Sequence, residues 1–267
     1  MCATARTAQG HGDVVREVSD SCKKYGLKFG IYLSLWDRNC PLYGTPEYND
    51  FYVRQLTELL TGYGEIFCIW LDGACGAKMD GKEPYPYDFD RVYKTVRELQ
   101  PDAVISNCGP DIRWVGNESG RSQQKASGTL CRPFPAQTQN IASHSQQTDA
   151  QDMKQQASDS HLEDLGSRAF LANYDSFMWY PAEVDVSIRP GWFYHKKESR
   201  RVRSLENLLR IYYGSVGGNS LLLLNVPPDT EGLLHEMDVR RLKELGDEIK
   251  KGVQLPALVS NVSAAPK

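Results

Sequence analysis

Apolar positions in this chain alternate between a helical and a strand period, and that alternation confines it to parallel βαβ units. Residues 13–25 place Val14, Val15, Val18 and Cys22 on one helical face, and Gly26 ends the run. Residues 28–34 read as a short apolar strand. Residues 46–62 form a second amphipathic helix, with Thr45 as its expected N-cap and Pro46 in its first turn. The nearly unbroken apolar run 65–71 predicts a strand covered on both faces. A helix over 88–99 and a third strand over 103–107 follow. Further along, 205–213 reads as helix, 220–226 as strand and 238–251 as a final helix.

Between these parts, residues 121–160 break the rhythm. They are rich in Gln and Ser, carry Pro133 and Pro135, and predict a long exposed loop or disordered insertion. Hydrophobic residues make up 40% of the chain, enough for a substantial core. A net charge of −3 argues against nucleic acid as the main partner. No apolar run has the length of a membrane span, and residues 1–10 lack the apolar region of a secretory signal. The 7 cysteines include no CxxC pair, which argues against a zinc or thioredoxin-type site; Cys68 and Cys108 read as buried free thiols.

Each of the first three strands ends in a polar loop, and in a parallel α/β fold active sites lie at that edge. In Trp70-Leu71-Asp72-Gly73 a carboxylate follows a strand directly, held rigidly as a nucleophile or base requires; the alternative is an ordinary turn Asp. The segment from Gly109 to Glu118 contains Asp111, Arg113, Trp114 and Asn117. Two successive loops with a carboxylate and a Trp suit a sugar site, where aromatics stack on the ring and paired carboxylates do acid/base work. Glu118 is the candidate acid, with an apolar neighbour such as Trp114 favouring its protonated form; the alternative is a solvated loop residue. Asp37 and Arg38 read as a local ion pair, while Tyr32 and Trp36 could line a pocket. The aromatic segment Trp179-Tyr180-Pro181-Ala182-Glu183, followed by Arg189 to His195, reads as a loop that is either a platform for a ligand or rim packing, and in it Glu183 rivals Glu118. His195 has no partner spaced for metal coordination.

Taken together, these segments resemble glycoside hydrolase family 29, the α-L-fucosidases, in the branch that includes plant enzymes. The resemblance rests on Lys23-Lys24-Tyr25-Gly26-Leu27-Lys28-Phe29-Gly30, Trp36-Asp37-Arg38-Asn39, Tyr43-Gly44-Thr45-Pro46-Glu47-Tyr48-Asn49 and Trp70-Leu71-Asp72-Gly73. It continues through Gly109 to Glu118, Asp185-Val186-Ser187-Ile188-Arg189-Pro190-Gly191-Trp192-Phe193-Tyr194-His195 and Leu222-Leu223-Leu224-Asn225-Val226-Pro227-Pro228-Asp229.

That resemblance implies a (β/α)8-type, TIM-like barrel over residues 11–252, with an insertion around 121–165 and a tail at 253–267. It implies a retaining hydrolase for α-1,3/1,4-linked L-fucose on oligosaccharides or glycoprotein glycans. Asp72 would be the nucleophile and Glu118 the acid/base. Tyr32, Trp36, Trp70, Arg113, Trp114 and Trp192 would bind substrate, and no metal or organic cofactor is implied. The family pattern departs in three places. Nothing here corresponds to the relatives' opening barrel strands with their His-His-Asp-Gly segment, or to their carboxy-terminal β-sandwich, and Cys40 stands where relatives often have His. The expectation is therefore an incomplete barrel, with a catalytically inactive derivative that at most binds sugar as the alternative. The relatives imply an extracellular location, and Asn261-Val262-Ser263 is a glycosylation sequon.

Overall fold

The computed structural model describes residues 12–37, 39–72, 87–107, 110–115, 117–120, 172 and 181–252. The Gln/Ser-rich segment, Arg38, Gly73, Cys108, Trp179, Tyr180, residues 1–10 and the 253–267 tail lie outside them. The order is α1 (Val14–Tyr25), β1 (Gly30–Ser34), α2 (Glu47–Gly62), β2 (Cys68–Asp72), α3 (Phe89–Leu99), β3 (Val104–Asn107) and β4 (Arg113–Trp114). Then come β5 (Ala182–Ser187), α4 (Leu205–Ser215), β6 (Leu221–Asn225) and α5 (Glu236–Lys250).

The strands form two three-stranded sheets in chain order, β1-β2-β3 and β4-β5-β6, with every pair parallel. β3 lies beside β4. The described strands do not close into a barrel. The βαβ alternation is as the periodicity predicts.

Local chemistry explains the helix ends. The Asp13 carboxylate accepts from Arg16 N–H at 3.0 Å, and Gly26 closes α1 at φ 68°, a left-handed conformation that glycine adopts without strain. Asp88 caps α3 through Arg91 N–H, and Ser204 caps α4 through Asn207 N–H. At α2 the expected Thr45 cap is absent: Pro46 takes the cap position, and the Thr45 hydroxyl donates back to the Leu42 carbonyl at 2.7 Å. The loop before the helix is already a hydrogen-bonded turn, so the hydroxyl is used there.

The core lies between the first sheet and its helices. Ile31, Leu33, Ile69, Leu71 and Ile105 point to one side and pack against Tyr48, Tyr52, Leu56 and Leu60 of α2 and Val92 and Val96 of α3. Each such side chain contributes about 1.5–3 kcal/mol of burial. The hydroxyls of Tyr52 and Tyr48 donate to the carbonyls of Leu33 and Leu35, at 3.0 and 2.9 Å, and so fix the end of β1 and the start of its loop. Gln100 fastens the far end: its amide donates to the Leu60 and Gly64 carbonyls and its oxygen accepts from Ile66 N–H. Only half of the apolar face expected for α1 is used, because Val15 and Cys22 pack on the core while Val14 and Val18 stay exposed.

β2 is not covered on both faces. Ile69 and Leu71 are buried, but Cys68, Trp70 and Asp72 on the other face are half-buried. Backbones approach closely on that second face, where a Cβ on Gly30 would sit 3.0 Å from the Cys68 carbonyl oxygen. The Cys68 thiol is free and pushed up to about 12, mainly by burial and then by the charges of Glu183 and Asp111. This second face carries the polar and aromatic side chains that form the site.

Candidate active site

Strand alternation sends Tyr32, Trp70, Asp72, Ser106, Trp114, Glu183 and Asp185 to the face opposite the helix-packed core. Tyr32 pairs in register with Trp70, and their rings stack with centroids 5.1 Å apart and planes 24° apart. The Tyr32 hydroxyl donates to Asp72 Oδ2 at 2.6 Å. Burial, and then the Asp72 carboxylate, hold the Tyr32 phenol well above its ordinary value, so it stays a neutral donor. The ring is nevertheless 56% exposed, so this aromatic wall is open to a ligand. Trp36 follows β1, its backbone N–H donating to Ser34 Oγ at 3.1 Å.

The second sheet contributes two carboxylates from one strand. Glu183 is 5% exposed and accepts from Trp70 Nε1 at 2.6 Å and from the Ser106 hydroxyl at 2.8 Å. Burial pushes its pKa up, and these two hydrogen bonds oppose that shift. Two residues on, Asp185 is 4% exposed and accepts from Trp114 Nε1 at 2.9 Å. Burial raises Asp185 to about 6; the Trp114 bond lowers it, and the charges of Glu183 and Glu118 raise it.

Glu118 is exposed and accepts from Trp192 Nε1 at 3.1 Å. Trp192 is the indole bonded to Glu118, while the Trp114 N–H is taken by Asp185. Trp192 is itself anchored: its carbonyl accepts from Asn225 Nδ2 at 3.0 Å, and the same nitrogen reaches Ser187 Oγ at 3.0 Å. Ser187 Oγ in turn donates to the Gly191 carbonyl at 2.7 Å. Below this loop, Arg189 Nε and Asp238 Oδ2 form a fully buried ion pair at 2.9 Å that ties the loop to the first turn of α5. The Arg189 guanidinium also lies 4.8 Å from the centre of the Tyr194 ring.

Other candidates lie elsewhere. Arg113 pairs with Ala182, one position out of step with Trp114 and Glu183, and is 1% exposed. Its register puts it on the opposite side of the strand from Trp114 and Glu183. Asp111 is occupied structurally, accepting from Arg97 Nη2 and from Ile105 N–H. Asp37 Oδ1 accepts the backbone N–H groups of Asn39 and Cys40, an Asx turn that gives this carboxylate a loop-shaping role. His195 is exposed. Among the described residues, no group of three or more His, Cys, Asp or Glu side chains could hold a metal ion, and no helix is long and apolar enough to cross a membrane.

Glu183 sits on a strand and not in the loop its aromatic neighbours suggest, and sequence reasoning assigned Asp185 no role of its own. The available signal was the strict alternation Ala182-Glu183-Val184-Asp185-Val186-Ser187, which marks a strand with one apolar and one polar face.

The family model for alpha-L-fucosidase matches residues 3–252. The chain belongs to the alpha-L-fucosidase family. Alpha-L-fucosidase 1 of Arabidopsis thaliana is 43% identical over 240 residues, covering 89% of this chain and 42% of that protein. An Oryza sativa relative matches at 42% identity over 88% of this chain and 40% of its own length. The chain thus spans about two fifths of the length of the curated relatives it matches. Among solved structures, a Bacteroides ovatus protein is 48% identical with a TM-score of 0.79, over 93% of this chain and 41% of that one. A Ruminococcus gnavus GH29 fucosidase in complex with fucose is 28% identical with a TM-score of 0.68, over 91% of this chain and 48% of that one.

Proposed function

We propose that this chain carries the catalytic carboxylates of a retaining α-L-fucosidase that removes terminal α-1,3/1,4-linked L-fucose from oligosaccharides and glycoprotein glycans. The observation that carries this reading is Asp72 at the carboxyl end of β2, bonded by Tyr32 beside the Tyr32–Trp70 stack. Both sheets belong, on this reading, to one (β/α)8-type barrel, whose sites gather at the carboxyl ends of the strands. Fucose as the ligand is supported by the complex of the Ruminococcus gnavus relative. An extracellular setting is part of this proposal, on the family resemblance alone.

In this scheme Asp72 attacks the anomeric carbon while Glu118 gives its proton to the departing glycosidic oxygen. Glu118 then takes a proton from the water that releases fucose, restoring both carboxyl groups. The Tyr32 hydroxyl orients Asp72 and Trp192 orients Glu118. The faces of Trp36, Trp70 and Tyr32 suit the apolar side of the sugar and its methyl group.

The assignment is tested by hydrolysis of 4-nitrophenyl α-L-fucoside. Asp72→Ala should abolish turnover. Glu118→Ala should cost less on this substrate, whose leaving group needs little protonation. Equal losses would contradict the two roles.

A further inference from the structure

Glu183 is a carboxylate that the double-displacement scheme does not use, yet it is nearly solvent-free at the joint between the sheets. A buried carboxylate costs several kcal/mol unless its oxygens are bonded. Here each oxygen has its own donor, and the donors come from two strands of the other sheet: Oε1 takes the Trp70 indole on β2 and Oε2 takes the Ser106 hydroxyl on β3. An indole has one N–H, so a 2.6 Å bond to a fixed acceptor sets the orientation of the ring. Tyr32, whose hydroxyl bonds Asp72, stacks on a face of that fixed ring. The contacts thus run without a break from Glu183 through Trp70 and Tyr32 to Asp72.

We propose that Glu183 is a positioning residue. Its carboxylate clamps the Trp70 indole and so sets the aromatic wall and the Tyr32–Asp72 hydrogen bond beside which fucose binds. The inference rests on the fucosidase reading for the identity of the ligand, but the clamp itself does not. Ser106 completes it by holding the second oxygen, which stops the carboxylate from turning away from the indole.

Glutamine can reproduce both bonds. Its carbonyl accepts from the indole and its amide donates to the Ser106 oxygen, because a hydroxyl both gives and accepts. Leucine can reproduce neither. The experiment is a 15N-tryptophan spectrum of the purified chain, with the Trp70 indole resonance assigned by Trp70→Phe, followed by titration with L-fucose. In Glu183→Leu the Trp70 indole proton should move upfield and exchange faster with solvent, while fucose affinity falls by about tenfold or more. Glu183→Gln should keep a bonded indole and an affinity within about threefold of the parent. An unmoved Trp70 resonance in Glu183→Leu, or unchanged fucose affinity in it, would overturn the proposal. A parent chain that ignores fucose while its Trp70 resonance still responds to Glu183→Leu counts against the fucosidase reading and for the clamp. Should Glu183→Leu fail to fold, Ser106→Ala takes its place. Loss of one anchor should shift the same resonance, and an unshifted one contradicts the clamp.

Discussion

The Tyr32 hydroxyl donates a 2.6 Å hydrogen bond to Asp72 Oδ2 across the β1–β2 pair. A short bond to a carboxylate from a phenol that stays protonated holds that carboxylate in one orientation. A nucleophile at an anomeric centre needs to be aimed in that way.

Tyr32→Phe removes this bond and little else. A hydrogen bond to a charged group is worth about 1.5–3 kcal/mol, so kcat/KM for an aryl fucoside should fall by roughly ten- to a hundredfold. Steady-state kinetics check this, and unchanged kcat/KM would mean that the phenol does not serve Asp72.

Asp185 gives a pH dependence of predictable sign. Its ordinary value is 3.8, and in the folded chain burial raises it to about 6. Between those values the folded state keeps a proton that the unfolded state has lost. The favourable contribution is therefore complete below about pH 4 and disappears as pH rises through 6. Asp185→Asn should flatten the stability profile across that window relative to the parent, read by urea unfolding at a series of pH values. An identical slope in both proteins would rule out Asp185 as its source.

The Arg189–Asp238 pair is fully buried, with Arg189 Nη1, Arg189 Nη2 and Asp238 Oδ1 making no hydrogen bond among the described residues. Removing one partner strands a charge. Asp238→Ala should therefore destabilise the fold by about 3–5 kcal/mol, while replacing both residues with apolar ones of similar volume should recover much of the loss. Chemical denaturation of the single and double variants decides this. A single variant no less stable than the double would contradict it.

How much of this was legible in the sequence depended on the distance between interacting groups. Asp72 was readable because an apolar run ends at it, a local pattern. The helix stop at Gly26 was local as well. β5 escaped because three of its six positions carry polar side chains, so it lacks the apolar run that marked β2. Its carboxylates are satisfied by Trp70 and Trp114, which lie 113 and 71 residues away in the chain. No window along the sequence contains both partners. The Glu118–Trp192 bond spans 74 residues and was equally hidden. Arg113 could be named but not placed, since on a two-residue strand a shift of one position decides which face it takes.

The central claim is that Asp72 forms the covalent bond to fucose. It is tested most directly by incubating the chain with a 2-deoxy-2-fluoro-L-fucosyl donor, which slows release of the intermediate, and mapping the adduct by peptide mass spectrometry. One fluorofucosyl group on the peptide containing Asp72, absent in Asp72→Ala and present in Glu118→Ala with an activated donor, is the result predicted. An adduct on Glu118, Glu183 or Asp185, or hydrolysis with inverted configuration and no adduct, would contradict it.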